Sequence, residues 1–199
     1  MTKHLIPEKR RETILVSAMS LFCESGLDSI NMSTLSEQTN ITRQAIYCHF
    51  RNVDEVLEAL CEQVYYRYYD VLEAYDPYAQ FIADQSVWRV DSILDLPGPV
   101  RRLGAIAFFS GDRSRTFLHG FQRRFDELLH RNWIDPLIES GFPRAAATST
   151  VYSIVASSFQ CGELIDRGLI TKFDAQSQLA TMSDVTLQVP RRPLMTLVN

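Results

Sequence analysis

The side chains best suited to recognition chemistry lie in one short segment near the N-terminus. Residues 33–50 read STLSEQTNITRQAIYCHF and place several polar side chains close together. Arg43 can donate two parallel hydrogen bonds to guanine, and Gln44 can pair in a similar way with adenine, at base edges that the major groove of DNA exposes. Threonine, tyrosine and histidine side chains can hydrogen-bond to phosphates. These residue types together favour contact with a nucleic-acid duplex.

Two short predicted helices position these side chains. We expect Ser33 or Thr34 to cap a helix over about 34–39, and Asn40 to end it because asparagine tolerates positive φ. Thr42 then caps a second short helix that carries the polar residues. The apolar side chains between the two helices are those of Leu35, Ile41, Ile46 and Phe50. This order predicts a helix-turn-helix, and the alternative is a helical hairpin whose polar residues are only solvated.

The rest of the chain also has a helical pattern. Pro7 and Gly26 bracket a first helix over roughly 8–25. Asn52 caps a long amphipathic helix over about 53–75, where apolar residues recur with a 3.6-residue period. Further predicted helices cover about 79–94, 100–110, 114–131, 144–168 and 173–187, with breaks that include Asp135-Pro136. Because alternating strand patterns are absent from the sequence, we expect an all-α fold.

Charge is distributed unevenly along the 199 residues. The net charge is −4, and 46% apolar with 22% charged residues is typical of a globular protein. Residues 1–52 carry six Lys or Arg against five Asp or Glu, whereas residues 53–100 carry two against ten. The first eleven residues hold four bases against one acid, so the N-terminal arm is basic. Since local charge decides whether phosphate can be approached, the acidic total does not exclude a DNA partner.

Several other classes of protein lack support in the sequence. Neither an 18-residue apolar stretch nor a secretory signal is present, so we expect a cytoplasmic protein with no membrane contact. The four cysteines form no CxxC pair and the four histidines are scattered, so we expect neither a metal nor another cofactor. Phosphate-binding loops, nucleophile elbows and metalloprotease motifs are also missing, so we do not expect an enzyme.

Residues 11–57 resemble the DNA-binding domain of TetR-type (TetR/AcrR) transcriptional regulators. They read RETILVSAMSLFCESGLDSINMSTLSEQTNITRQAIYCHFRNVDEVL. The shared marks are the IL..A..LF.E.G opening, the Ser-Thr-Leu entry to the second helix, the Tyr-x-His-Phe close and the acidic Asp54-Glu55 that opens the fourth helix. The remainder of the chain resembles the family only in length, helicity and order of elements.

The resemblance implies a division of the chain. A basic arm over 1–7 and a helix-turn-helix domain over 8–52 would bind DNA, and residues 53–199 would bind an effector and dimerise. The DNA contacts carried over by position are Thr42, Arg43, Gln44 and Tyr47, with His49 and Ser33 or Thr34 on the backbone. The implied protein is a homodimeric regulator, a repressor that a small molecule releases from a palindromic operator.

The segment departs from the family pattern at three places. The turn has Asn-Ile at 40–41 instead of Gly-Val, and the second helix has Leu-Ser at 35–36 instead of Ile-Ala. Val53 stands where a lysine usually contacts the DNA backbone. Losing one phosphate contact would flatten the salt dependence of binding by about one unit. We expect Arg51 or the basic arm to supply the missing contact.

Aromatic residues concentrate between 65 and 133. In the light of the resemblance, we expect an apolar or aromatic effector to bind among Tyr65, Tyr68, Trp88, Phe108, Phe121 and Phe125. The alternative for each of them is ordinary core packing, because aromatic residues at helical spacing are usually buried. The basic residues of 113–131 have two interpretations as well: they bind an acidic ligand, or they pair with the acidic block at 53–100.

The sequence is also compatible with two other functions. One is an effector-independent DNA-binding protein, architectural or linked to cell division, which a packed second domain would favour. The other is a helical small-molecule-binding protein that has lost DNA binding, which Val53 favours. The helices over 144–168 and 173–187, the dimer interface by family position, also fit an internal core. Cys48 is either a thiol sensor or an inert side chain.

Overall fold

The computed structural model describes residues 7–73, 89–109 and 116–186, and every regular element in these ranges is a helix. The helices are α1 (Pro7–Ser25), α2 (Met32–Thr39), α3 (Arg43–Tyr47), α4 (Val53–Glu73), α5 (89–94), α6 (Gly98–Phe109), α7 (Thr116–Leu129), α8 (Asp135–Glu139), α9 (Arg144–Asp166) and α10 (Lys172–Thr186). This confirms the all-α fold. Residues 1–6 of the basic arm, most of the predicted helix over 79–94 and Trp88 lie outside the described residues.

Local signals in the sequence set the bounds of the N-terminal helices. Gly26 has φ 82° and its N–H donates to the Phe22 carbonyl, which ends α1 as predicted. Asn40 adopts the left-handed conformation, with φ 54°, and ends α2. The predicted cap of α2 is wrong: Asn31 is the N-cap, and its side chain accepts from the Ser33 and Thr34 N–H groups at 2.9 and 3.1 Å.

The long helix α4 connects the two parts of the fold. Asn52 caps it, accepting from the Glu55 N–H at 2.9 Å, as the sequence predicts. Its buried side follows the helical period and is formed by Val56, Leu57, Leu60, Cys61, Val64, Tyr65, Tyr68 and Leu72. Helix α4 packs against α1 of the N-terminal helices and also against α6 and α7. One continuous helix therefore packs against the N-terminal helix α1 and against two helices of the second half.

The predicted break at Asp135-Pro136 is wrong, because helical structure continues through it. A π-helical turn over His130–Ile134 joins α7 directly to α8, with Pro136 in the first turn of α8. Proline has no N–H to offer the Asn132 carbonyl four residues earlier. The buried Arg89 guanidinium donates to that carbonyl at 2.6 Å instead. The carbonyl that proline leaves free thus gains a donor from another element, and the helix continues.

A buried arginine ties three elements of the second half together. Arg101 of α6 donates to the carbonyl oxygens of Leu94 and Leu96 and to the Asp166 carboxylate of α9. Gly162 gives it room, since a Cβ there would lie 2.8 Å from the arginine Nε.

None of the helices within 7–73, 89–109 and 116–186 combines the length and the apolar composition that a membrane span requires.

Candidate nucleic-acid interface

The short helix α3 presents the residues predicted to read DNA. Thr42 caps it as expected, because its hydroxyl accepts from the Ala45 N–H at 3.3 Å. Ile46 is fully buried and anchors the helix, whereas Arg43, Gln44 and Tyr47 are exposed. The exposed side of α3 therefore carries one guanidinium, one amide and one phenol, which are the groups that contact bases and phosphates in a groove.

The two candidates at the start of α2 have different environments. The Thr34 hydroxyl accepts from the Asn31 N–H at 3.0 Å and donates to the Ser29 carbonyl at 2.8 Å, so it serves the capping box. The half-buried Ser33 hydroxyl makes no hydrogen bond to another described residue. Between these two candidates, Ser33 is the one whose hydroxyl remains available for a phosphate.

The residues that follow α3 continue the exposed surface. His49 is half-buried, and its N–H donates to the Ile46 carbonyl at 2.8 Å. The Arg51 side chain is 90% exposed and lies 3.5 Å from the Glu55 carboxylate. Val53 is half-buried and brings no charge. Since a highly exposed ion pair contributes little, Arg51 can exchange Glu55 for a phosphate at small cost.

Arg11 has a structural role that the sequence did not reveal. Its guanidinium lies 5.0 Å from the centre of the Phe50 ring, in cation–π geometry. Phe50 is buried directly after the turn that ends α3. The contact joins α1 to the end of the helix-turn-helix, so Arg11 helps to fix the position of the chain just after α3.

The predicted effector residues form one aromatic cluster, except for Trp88, which lies outside the described residues. Phe121 stacks on Phe125 at 5.6 Å, and Tyr68 lies 5.4 Å from Phe125. Tyr65 joins through Phe121 at 6.3 Å, and Phe108 through Phe125 at 5.4 Å. The rings contact one another directly, as they do in packed cores.

The cluster contains features that the sequence analysis missed. Phe159 and Tyr152 of α9 extend it, at 5.6 and 5.5 Å from Phe108. The fully buried Tyr68 hydroxyl has no hydrogen-bond partner among the described residues, and burial raises the pKa of this phenol well above its usual range. Gly104 makes room for it, since a Cβ there would lie 2.5 Å from the Tyr68 ring. The helical spacing of apolar residues along 144–168 could have identified Phe159 as a core residue. Nothing in the sequence indicates that the Tyr68 hydroxyl lacks a hydrogen-bond partner among the described residues.

Two basic residues, one on α7 and one in the π-helical turn that follows it, pair with acidic residues of α4. Arg124 lies 3.9 Å from Glu62 and 4.3 Å from the centre of the Tyr65 ring. Arg131 forms an ion pair with Glu73. For these two residues, the interpretation that they pair with the acidic block at 53–100 is confirmed. Arg113 and Arg115 lie outside the described residues, and His119 and Arg123 are exposed.

Comparison with known proteins relates the N-terminal segment to one family. Residues 14–60 match the sequence model of the bacterial regulatory proteins of the tetR family. No curated protein matches the chain. This family match confirms the resemblance drawn from residues 11–57.

Solved structures extend the likeness to the whole fold. A TetR-like regulator from Rhodococcus sp. RHA1 has a TM-score of 0.75 at 17% identity, covering 92% of this chain and 98% of that one. The fatty acid degradation regulator FadR from Bacillus halodurans has a TM-score of 0.68 at 14% identity, covering 92% and 97%. Salmonella enterica GusR has a TM-score of 0.66 at 17% identity, covering 94% and 100%. The chain therefore has the fold of TetR-family transcriptional regulators.

Proposed function

We propose that this protein is a sequence-specific DNA-binding transcriptional regulator that acts in the cytoplasm without a cofactor. Its α3 enters the major groove, where Arg43 and Gln44 read bases. The sugar-phosphate backbone of the DNA is then contacted by Thr42, Tyr47, His49, Arg51 and Ser33. The observation that carries this proposal is the exposed edge of Arg43, Gln44 and Tyr47 on a capped helix, inside the segment that matches the tetR family.

The proposal includes a homodimer and a palindromic operator. A single five-residue helix contacts too few bases for strong selectivity. Two copies related by a two-fold axis would bind half-sites one helical turn or more apart. The helices α9 and α10 are the interface that family position implies.

The regulatory part of the proposal is a repressor released by a small-molecule effector. The aromatic cluster supports this part, because Tyr65 and Tyr68 lie on α4, the helix that also packs against α1. A ligand among these rings would act through α4 on the N-terminal helices. It would have to bind the released state more tightly than the DNA-bound state, since only differential affinity shifts an equilibrium.

One observation favours a second candidate, an effector-independent DNA-binding protein. The rings of the aromatic cluster lie against one another, with ring centres 5.4–6.4 Å apart, as side chains do in a packed core. In that case DNA binding would not respond to small molecules of any class.

Selection of bound sequences from random duplex DNA tests the DNA-binding proposal. We expect the purified protein to enrich a palindromic consensus, and Arg43→Ala and Gln44→Ala to lower affinity for that site. Each bidentate base contact is worth about 1–3 kcal/mol, which is roughly five- to 150-fold in Kd.

Arg123→Ala is the matched control, because this arginine is exposed on α7, outside both the helix-turn-helix and the helices assigned to the dimer. Its Kd should equal that of the parent protein. If the folded parent enriches no sequence, or if the α3 variants keep its preference, the proposal is wrong.

A further inference from the structure

An open groove of about 530 Å³ lies where α1, α4 and α6 meet. Its apolar wall includes Val16 of α1, Tyr66 of α4 and Val100 of α6. Val16 is 64% exposed and Tyr66 is 53% exposed, so both leave apolar surface in contact with water. The volume is in the range of small-molecule sites, about 300–1,000 Å³. No residue of the aromatic cluster lines this groove.

The rim of the groove has a net negative charge. Glu12 of α1 and Asp70 of α4 are exposed there, opposed by the single cation Arg67. Neither carboxylate forms a hydrogen bond or ion pair within the ranges 7–73, 89–109 and 116–186. Along α4, Arg67 is the one basic residue, whereas acidic residues occur from its first turn to its last residue. The α4 side of the groove therefore contributes a negative potential.

We propose that this groove binds an organic cation with an apolar or aromatic body. The body lies against Val16 and Tyr66, where binding removes exposed apolar surface from water. The positive charge lies between Glu12 and Asp70 and can also approach the face of the Tyr66 ring. A neutral or anionic ligand of the same shape gains the apolar contact but not the charge contact.

The position of the groove gives its ligand a second effect, which rests on the proposed DNA-binding function. Glu12 and Val16 belong to the N-terminal domain, whereas Val100 belongs to the bundle. A ligand that contacts all three elements favours the arrangement of α1 and α6 in which the groove is best formed. Operator DNA and the cation then change each other's affinity by the same factor.

Calorimetric titration of the full chain without DNA tests the binding site directly. The probe is tetraphenylphosphonium, and tetraphenylborate is its control, because the two ions have the same shape and opposite charge. We expect saturable binding of the cation and at least tenfold weaker binding of the anion. Equal or tighter binding of tetraphenylborate overturns the proposal.

Charge variants locate the site. Glu12→Gln and Asp70→Asn should each weaken tetraphenylphosphonium binding by about three- to fivefold, the size of an exposed charge pair. Arg67→Gln should tighten it by a similar factor. Glu24→Gln on α1 and Glu58→Gln on α4 make the same charge change outside the groove and should leave the Kd unchanged. Binding that ignores all three groove variants, or that responds equally to the two controls, overturns the assignment.

The effect on DNA is measured separately, with the consensus duplex and saturating tetraphenylphosphonium. A change in operator Kd that disappears in Asp70→Asn supports the coupling. An unchanged operator Kd refutes the coupling while the calorimetric result still stands for the site. If no operator is found at all, the DNA-binding function fails, and the titration without DNA still decides the groove proposal.

Discussion

At the scale of single residues, exposure separates side chains of the same type. Four thiols illustrate this: Cys48 is exposed, Cys23 is half-buried, and Cys61 and Cys161 are buried. Burial raises the pKa of the Cys61 thiol to about 12, and burial also raises the pKa of Cys161. Since the thiolate is the reactive form, these two thiols are protected twice, by access and by ionisation.

We expect one fast-reacting thiol in the native protein. Labelling with a disulfide reagent at pH 8 should modify Cys48 first, because pH 8 lies well below the raised pKa of Cys61 and leaves that group as an inert thiol. Cys48→Ser should abolish the fast phase, whereas Cys61→Ser should not. Because Cys48 lies beside Tyr47 on α3, the consensus duplex should slow its labelling. A fast phase that persists in Cys48→Ser would contradict the predicted exposure of this face.

The residue scale also shows what could be read from the sequence around the site. Thr42 was identifiable as a cap because a single hydroxyl and one local N–H decide it. The cap of α2 was not, since Asn31, Ser33 and Thr34 are all capping residues and only the folded backbone shows which one is outside the helix. The cation–π contact of Arg11 with Phe50 joins residues far apart in sequence, and no local signal indicates it.

At the scale of elements, the second half depends on polar contacts between helix ends. Arg101 is 8% exposed and binds the carbonyl groups of Leu94, at the end of α5, and of Leu96, just after it, as well as a carboxylate at the end of α9. Its neighbour Arg102 lies 4.0 Å from Glu163, with both side chains 44% exposed. Two adjacent arginines of one helix thus have very different surroundings.

We expect Arg101→Met to lower the free energy of unfolding by about 3 kcal/mol, because it leaves buried carbonyl groups and Asp166 without their donor. Arg102→Met should cost under about 1 kcal/mol, as is usual for exposed ion pairs. Urea unfolding followed by circular dichroism measures both. Equal losses for the two variants would show that the buried arginine is not a structural link.

Element bounds show where sequence patterns suffice and where they do not. The predicted α1, α9 and α10 agree with the structure to within two residues, because glycine, proline and period mark their ends. The error at Pro136 arose because its compensation is not local: Arg89 is 43 positions from the carbonyl that it satisfies. The 3₁₀ turn over Leu27–Ser29 was also missed, since three residues are too few to show a period.

At the scale of the whole molecule, exposed apolar surface indicates where association would bury it. Phe173 at the start of α10 is 75% exposed, and Leu169 just before it is 59% exposed. Both lie next to or within the helices that family position assigns to the dimer. Unpartnered aromatic side chains are frequent anchors of interfaces.

We expect Phe173→Asp to weaken the homodimer, because it places a charge in a surface that must exclude water. Sedimentation velocity at several concentrations should show the parent protein as a dimer and the variant with a larger monomer fraction, at least tenfold weaker in dimer Kd. Val16→Asp introduces the same charge on an exposed apolar residue outside α9 and α10, and should leave the dimer intact. A fully dimeric Phe173→Asp protein would move the interface elsewhere.

Because α4 is continuous, its length fixes the rotation of the N-terminal helices about the helix axis relative to the second half of the chain. Its 21 residues rise about 30 Å, and each residue advances the helix by about 100°. A single residue inserted within it would swing the N-terminal helices a quarter-turn or more around the axis, whereas seven would nearly restore their bearing. A chimaera that joins this N-terminal domain to the second half of another protein therefore has to preserve the rotation about the α4 axis at the junction as well as the length of α4.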